Sequence, residues 1–111
     1  VNKSKFIKLN LDEKKSICQK LNPYDKTEWD IFKEVEKLFI IKYGKHEAID
    51  KIFCGLAPIM GPFNSINVYI AKNRKRIDLP AEFHGFPIFK IYESKTKNYK
   101  NMIENDEKRN N

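Results

Sequence analysis

The sequence predicts an α+β domain in which two N-terminal helices pack on a three-stranded, mostly antiparallel sheet. Apolar residues recur at helical spacing as far as Tyr43, the period shortens toward two from Ala48, and glycines and prolines separate the later apolar runs. A helix with one apolar stripe and a strand with one apolar face must bury each other. At about 25 cal/mol per Å² of apolar surface removed from water, large aromatics supply most of that drive, and the chain has fourteen of them in 111 residues. This length suits one domain, expected over residues 1–94, followed by a polar tail over 95–111.

The first helix is expected from about Leu11 to Leu21. Asn10 stands at its N-cap with Glu13 three residues on, and Ile17, Cys18 and Leu21 share a face. Asn22-Pro23 ends it, because proline disfavours helical geometry in the residue before it. A second helix is expected from an N-cap at Thr27 to Tyr43, where Gly44 can take the left-handed terminating conformation. Phe32, Val35, Leu38 and Phe39 form its apolar stripe, and Lys33, Glu34, Glu36 and Lys37 its wet side. The closing "LFII" widens the stripe, so the C-terminal end is expected to be the more deeply buried.

Three strands are expected. The first runs from Ala48 to Ala57 with Ile52, Cys54 and Leu56 on one face. The second, Ser65 to Ala71, turns Ile66, Val68 and Ile70 inward and Asn67 and Tyr69 outward; the third runs from Phe86 to Glu93, where Pro87 suits a strand start or an edge. "LPAEFHG" reads as one helical turn opened by Pro80 and closed by Gly85.

"GLAPIMGPF", residues 55–63, resembles a phosphate loop only in its glycines. Pro58 and Pro62 each remove a backbone donor, no Gly-Lys-Ser/Thr follows, and the next element is a strand. The stretch is therefore read as structural: Gly55 permits a close approach or a bulge, and Gly61-Pro62 makes the turn.

The formal charge of +7 is discounted by composition, since lysine, asparagine and isoleucine supply 44 residues and lysine outnumbers arginine 19 to 3. Position says more. Residues 1–50 carry 11 basic and 9 acidic side chains, and residues 51–111 carry 11 and 6. Two of the three arginines stand together in "AKNRKR". Lys72, Arg74, Lys75 and Arg76 cannot be buried without partners, and a guanidinium fork pairs bidentately with phosphate or carboxylate. Tyr69 and Lys90 are expected to flank them, as an aromatic flanks charge on nucleic-acid platforms. A solubilising loop against edge pairing is the competing reading.

Other chemistries find less. Cys18, His46, Cys54 and His84 match no short-spaced zinc pattern. Cys54 with His84 or His46 would make a hydrolase pair, but a cysteine among Ile52, Phe53 and Leu56 reads as buried and inert. Two buried free thiols suit a reducing compartment. No cofactor is expected. No apolar run reaches membrane-spanning length and no secretory signal is visible, so an intracellular location, cytoplasmic or nuclear, is expected.

From Glu34 to Glu93 the layout resembles the small α/β accessory module found ahead of trypsin-like peptidase domains. The resemblance rests on a helix before a glycine-bearing strand, then "SINVYIAKN", then "LPAEFHGFPIFKIYE". It implies a fold, turn-setting roles for Leu79, Pro80, Gly85 and Pro87, and a non-catalytic character. No G-D-S-G nucleophile motif is present and "GLAPIMGPF" replaces a simpler glycine turn, so no catalytic residue is transferred. The functional expectation is a non-enzymatic binding or accessory module whose basic loop meets nucleic acid or an acidic protein. The alternative is a protein-interaction or regulatory module that uses its sheet edge.

Overall fold

The structure, a computed structural model, describes residues 1–58, 63–71 and 77–92. Within them lie three helices, α1 (Lys3–Lys8), α2 (Leu11–Cys18) and α3 (Lys26–Tyr43), and four strands, β1 (Ile49–Leu56), β2 (Asn64–Ile70), β3 (Glu82–Phe83) and β4 (Phe86–Tyr92). The α+β class stands, with a four-stranded mixed sheet of order β1-β2-β4-β3.

Each helix begins on a side-chain cap. Asn2 Oδ1 accepts from Lys5 N–H, Asn10 Oδ1 from Glu13 N–H, and Asp25 Oδ1 from Glu28 N–H. The α2 cap is the expected one. For α3 the cap is Asp25, not Thr27, because the aspartate carboxylate, two residues earlier, accepts from the free Glu28 N–H. Helix α1 was absent from the sequence reading; its fully buried Phe6 is what docks this short, lysine-rich turn.

The main stripe of α3 forms as expected, with Ile31, Phe32, Val35 and Phe39 buried. Its C-terminal end differs from expectation. Ile40 is 44% exposed and Ile41 66%, because the core-facing line passes through Val35 and Phe39, and consecutive isoleucines one and two residues on rotate away from it. Gly44 ends α3 in a right-handed conformation (φ −65°), not the expected left-handed one, with its N–H donating to the Ile40 carbonyl.

Strand β2 sits at the centre, antiparallel to β1 and parallel to β4. Parallel neighbours need a long return connection, and residues 71–85 provide it, with Ile77 buried and Leu79 packed on the core along the way. On the helix side, Ile66, Val68 and Ile70 are fully buried beside Cys54 and Phe86. Phe86 receives the ring edges of Phe32 at 5.4 Å and Phe6 at 6.0 Å, and Phe83 meets Phe39 at 5.3 Å. Such pairs add about 0.5–1.5 kcal/mol each beyond area burial.

Asn67 is not a wet outward residue. It is fully buried, as is Ser65, whose Oγ donates to Asn67 Oδ1, while Asn67 Nδ2 donates to the Phe53 carbonyl. Phe53 lies opposite Asn67 and folds its ring over Gly55, which lies opposite Ser65. A Cβ on Gly55 would come within 2.6 Å of that ring, the close approach expected of this glycine.

"LPAEFHG" does not form a helical turn. Glu82 pairs with Pro87 and Phe83 with Phe86 around His84-Gly85, both at positive φ (50° and 86°), as in a type I′ hairpin. Phe83 and Phe86, on either side of the turn, both pack rings against α3, so strand pairing prevails over the proline's helix-opening tendency. Gly61-Pro62 and the tail from residue 93 lie outside the described residues. Among the described residues no helix is long and apolar enough to cross a membrane.

Candidate functional site

Lys72, Arg74, Lys75 and Arg76 lie outside the described residues, and Ala71 and Ile77 flank them. Before the loop, Ala71 N–H donates to the Ala48 carbonyl at 2.9 Å, tying the end of β2 to the start of β1. After it, Ile77 is buried and its carbonyl accepts from Lys90 Nζ at 3.4 Å.

A cleft of about 270 Å³ opens beside Ile77, lined by Lys42, Tyr43, Lys45, His46, Ile77, Asp78 and Leu79. Lys42 belongs to the last turn of α3, where a cation also offsets the helix dipole. Lys45 and His46 belong to the turn that follows. The Ala48 N–H donates to His46 Nδ1 at 3.1 Å. The neutral ring therefore carries its hydrogen on Nε2, which makes that nitrogen a donor. Asp78 is the one carboxylate among the cleft's described lining residues. Three donor side chains around one acid favour an anion.

Tyr69 and Lys90 occupy opposite faces of the sheet. Tyr69 is in register with Ile91 and Lys90 with Val68, adjacent positions on β4 that alternate onto opposite sheet faces. The Tyr69 ring has Lys51 Nζ 5.8 Å from its centroid, so its cationic neighbour comes from β1. Lys90 reaches the carbonyl of Ile77, a residue that lines the cleft.

Cys54 and Cys18 are both free and buried, as expected. Burial above all, with the Glu36 carboxylate second, pushes the Cys54 thiol well above its ordinary pKa, opposite to what a nucleophilic thiolate requires. Neither imidazole serves it: His46 accepts from Ala48 N–H and His84 Nδ1 lies 2.7 Å from Lys14 Nζ. Among the described residues no group of three or more His, Cys, Asp or Glu side chains is placed to hold a metal ion.

One constellation escaped the sequence reading. Lys14, on the buried face of α2, meets His84 at the tip of the β3–β4 hairpin, Glu82 Oε2 accepts from Gly85 N–H, and Cys18 Sγ donates to the Gly85 carbonyl at 3.0 Å. Burial lowers the pKa of both Lys14 and His84; Lys14 and Lys42 push His84 further down, and Glu82 opposes. The signal present in the sequence was "FHGF", in which histidine occupies a hairpin position that asparagine suits better.

Two strand N–H groups that point away from β2 are occupied. Cys54 N–H on β1 donates to Glu36 Oε1, and Ile88 N–H on β4 donates to the Ala81 carbonyl. No protein-family model, curated protein or solved structure matches this chain.

Proposed function

We propose that the protein is a non-enzymatic binding or accessory module that meets an anionic partner such as nucleic acid. Its contact rim comprises Lys72, Arg74, Lys75 and Arg76, extended by Lys42, Lys45, His46 and Lys90. The observation that supports this most is the cleft beside Ile77, where cationic side chains from α3 and the following turn gather next to the point at which the basic segment rejoins the described fold.

Contacts of this kind go to phosphates and release condensed counterions, so affinity falls with salt and depends weakly on base sequence. Binding of a single-stranded oligonucleotide should show log K falling against log[salt] with a slope of about 5, roughly 0.7 for each lysine and arginine of the rim. Alanines at Arg74 and Arg76, or at Lys42 and Lys45, should each weaken binding and reduce that slope by about 1 to 2. Equal binding and equal slope in wild type and both double variants would remove the reading.

A protein-interaction module is the second reading. It is favoured by a cleft of about 480 Å³ lined by Gln19, Phe63, Pro87 and Phe89, where an exposed phenylalanine is available to a partner. The occupied N–H groups of Cys54 and Ile88 weigh against strand addition at those positions. Binding through the Phe63 cleft would be insensitive to salt and lost in Phe63→Ala, which distinguishes the two.

A further inference from the structure

His84 is an unusual choice for its position. Its φ of 50° is left-handed, a conformation that asparagine and glycine tolerate best in a two-residue hairpin. Asparagine is abundant here, at 11 residues, while histidine occurs twice. Composition and turn chemistry thus both favour asparagine, and a local rule broken in this way points to what the side chain reaches.

What it reaches is Lys14, whose side chain enters from α2. Lys14 is 8% exposed, and its Nζ lies 2.7 Å from His84 Nδ1 and 6.0 Å from the Phe6 ring centroid. The hairpin tip lies directly against α2: a Cβ on Gly85 would come within 2.7 Å of the Lys14 carbonyl carbon. Behind the pair, Cys18 Sγ donates to the Gly85 carbonyl and is buried. The charged groups acting on His84 are Lys14 from α2, Lys42 from α3 and Glu82 from β3.

We propose that Lys14 and His84 form an acid-released latch that fastens α2 to the β3–β4 hairpin and, on opening, uncovers the Cys18 thiol. At neutral pH the pair holds one proton between amine and imidazole, so Lys14 donates and Nδ1 accepts. A second proton places N–H groups on both sides of the same 2.7 Å gap, leaving no acceptor between two cations. Glu82 offers one carboxylate, and one of its oxygens already accepts from Gly85 N–H. The pair titrates as a unit, and separation of α2 from the hairpin is the relief open to it. Lowered pKa values for both groups agree with this, since folding then opposes the second proton.

The sign is fixed by the lowered imidazole pKa: stability from the latch is fully present above the unfolded-state value and is lost as pH falls below it toward the folded-state value. Within that window the opening equilibrium grows by up to about tenfold per pH unit.

The test uses the full chain with Cys54→Ala, so that Cys18 is the one thiol, and a pyridyl disulfide reagent that reacts in mild acid. Cys18 labelling should accelerate on going from pH 7.5 to pH 5, after correction for the same reagent on the unfolded chain. His84→Asn, which keeps the hairpin geometry and removes the titrating ring, should label at a nearly constant rate. Imidazole NMR titration of the chain with His84 intact should place His84 below the ordinary histidine value, and Lys14→Met should move it back upward. Equal pH dependence of labelling in wild type and His84→Asn, or an imidazole titration of His84 at or above the ordinary histidine value, would overturn the latch. If His84→Asn fails to fold, the titration alone decides.

Discussion

The Glu36 carboxylate accepts a hydrogen bond from the Cys54 backbone N–H at 3.1 Å, so a side chain of the main helix occupies the outer edge of β1. The same carboxylate carries its ion pair with Lys33 at 3.3 Å on the other oxygen. A helix face that reads as wet in the sequence thereby stands in for a missing fifth strand.

Replacing Glu36 by alanine leaves that N–H unpaired and the edge open. The expected cost is about 1–2 kcal/mol of unfolding free energy in urea, with increased self-association at high concentration. Glu36→Gln, which keeps an acceptor, should recover most of the loss. A Glu36→Ala protein as stable and as monomeric as wild type would show the edge contact to be idle.

Asn64 is the terminating clamp of α2. Its Nδ2 donates to the carbonyls of Cys18 and Leu21, both at 2.8 Å, while its backbone pairs with the Gln19 side chain in both directions. Helix ends leave such carbonyls without partners. Asn64→Ala should cost about 2–3 kcal/mol, and Asn64→Asp at least as much, because a carboxylate faces two carbonyl oxygens it cannot satisfy. Denaturant midpoints of the two variants decide this directly.

Two faces of the C-terminal part of α3 make opposite predictions. Phe39, fully buried between Tyr43 and Phe83, should lose about 3–5 kcal/mol on truncation to alanine. Ile41→Ser should stay within about 0.5 kcal/mol of wild type, as exposed substitutions do. Comparable losses at both positions would mean that Ile41 is covered in solution.

Alkaline pH provides a separate handle. The Cys54 thiol stays protonated in the fold because burial raises its pKa well above the ordinary thiol value, with Glu36 adding to the rise. Folded pKa above unfolded pKa means the contribution is intact below the unfolded value and is lost as pH rises past it, at up to about 1.4 kcal/mol per unit. Cys54→Ala should therefore show a shallower loss of stability between pH 9 and pH 11. Equal slopes would indicate that Cys54 ionises as an exposed thiol does.

Much of this fold was legible because it is written in local periods. The Val35–Phe39 stripe, the Ile66-Val68-Ile70 alternation and the Asn10 cap each depend on residues within a turn or a few positions of one another. The elements that were misread depend on partners far away in the chain. Phe6 makes α1 worth forming only because Phe86 is there to receive it, and "EFHGF" becomes a hairpin because Phe83 and Phe86 both find ring partners on α3. The candidate rim was half legible: charge clustering named residues 72–76, but nothing in the local pattern indicates that Lys42, Lys45 and His46 gather beside Ile77.

By itself the sequence determined where α2, α3, β1, β2 and β4 form, the main apolar stripe of α3, the Ile66-Val68-Ile70 face and where cationic charge is concentrated, since these follow from side-chain chemistry at short spacing. The parallel pairing of β2 with β4, the meeting of Lys14 with His84 and the burial of Asn67 were decided by tertiary structure alone. Each requires a group to give up water for a partner on another strand or helix, and only the packed fold sets whether that partner arrives.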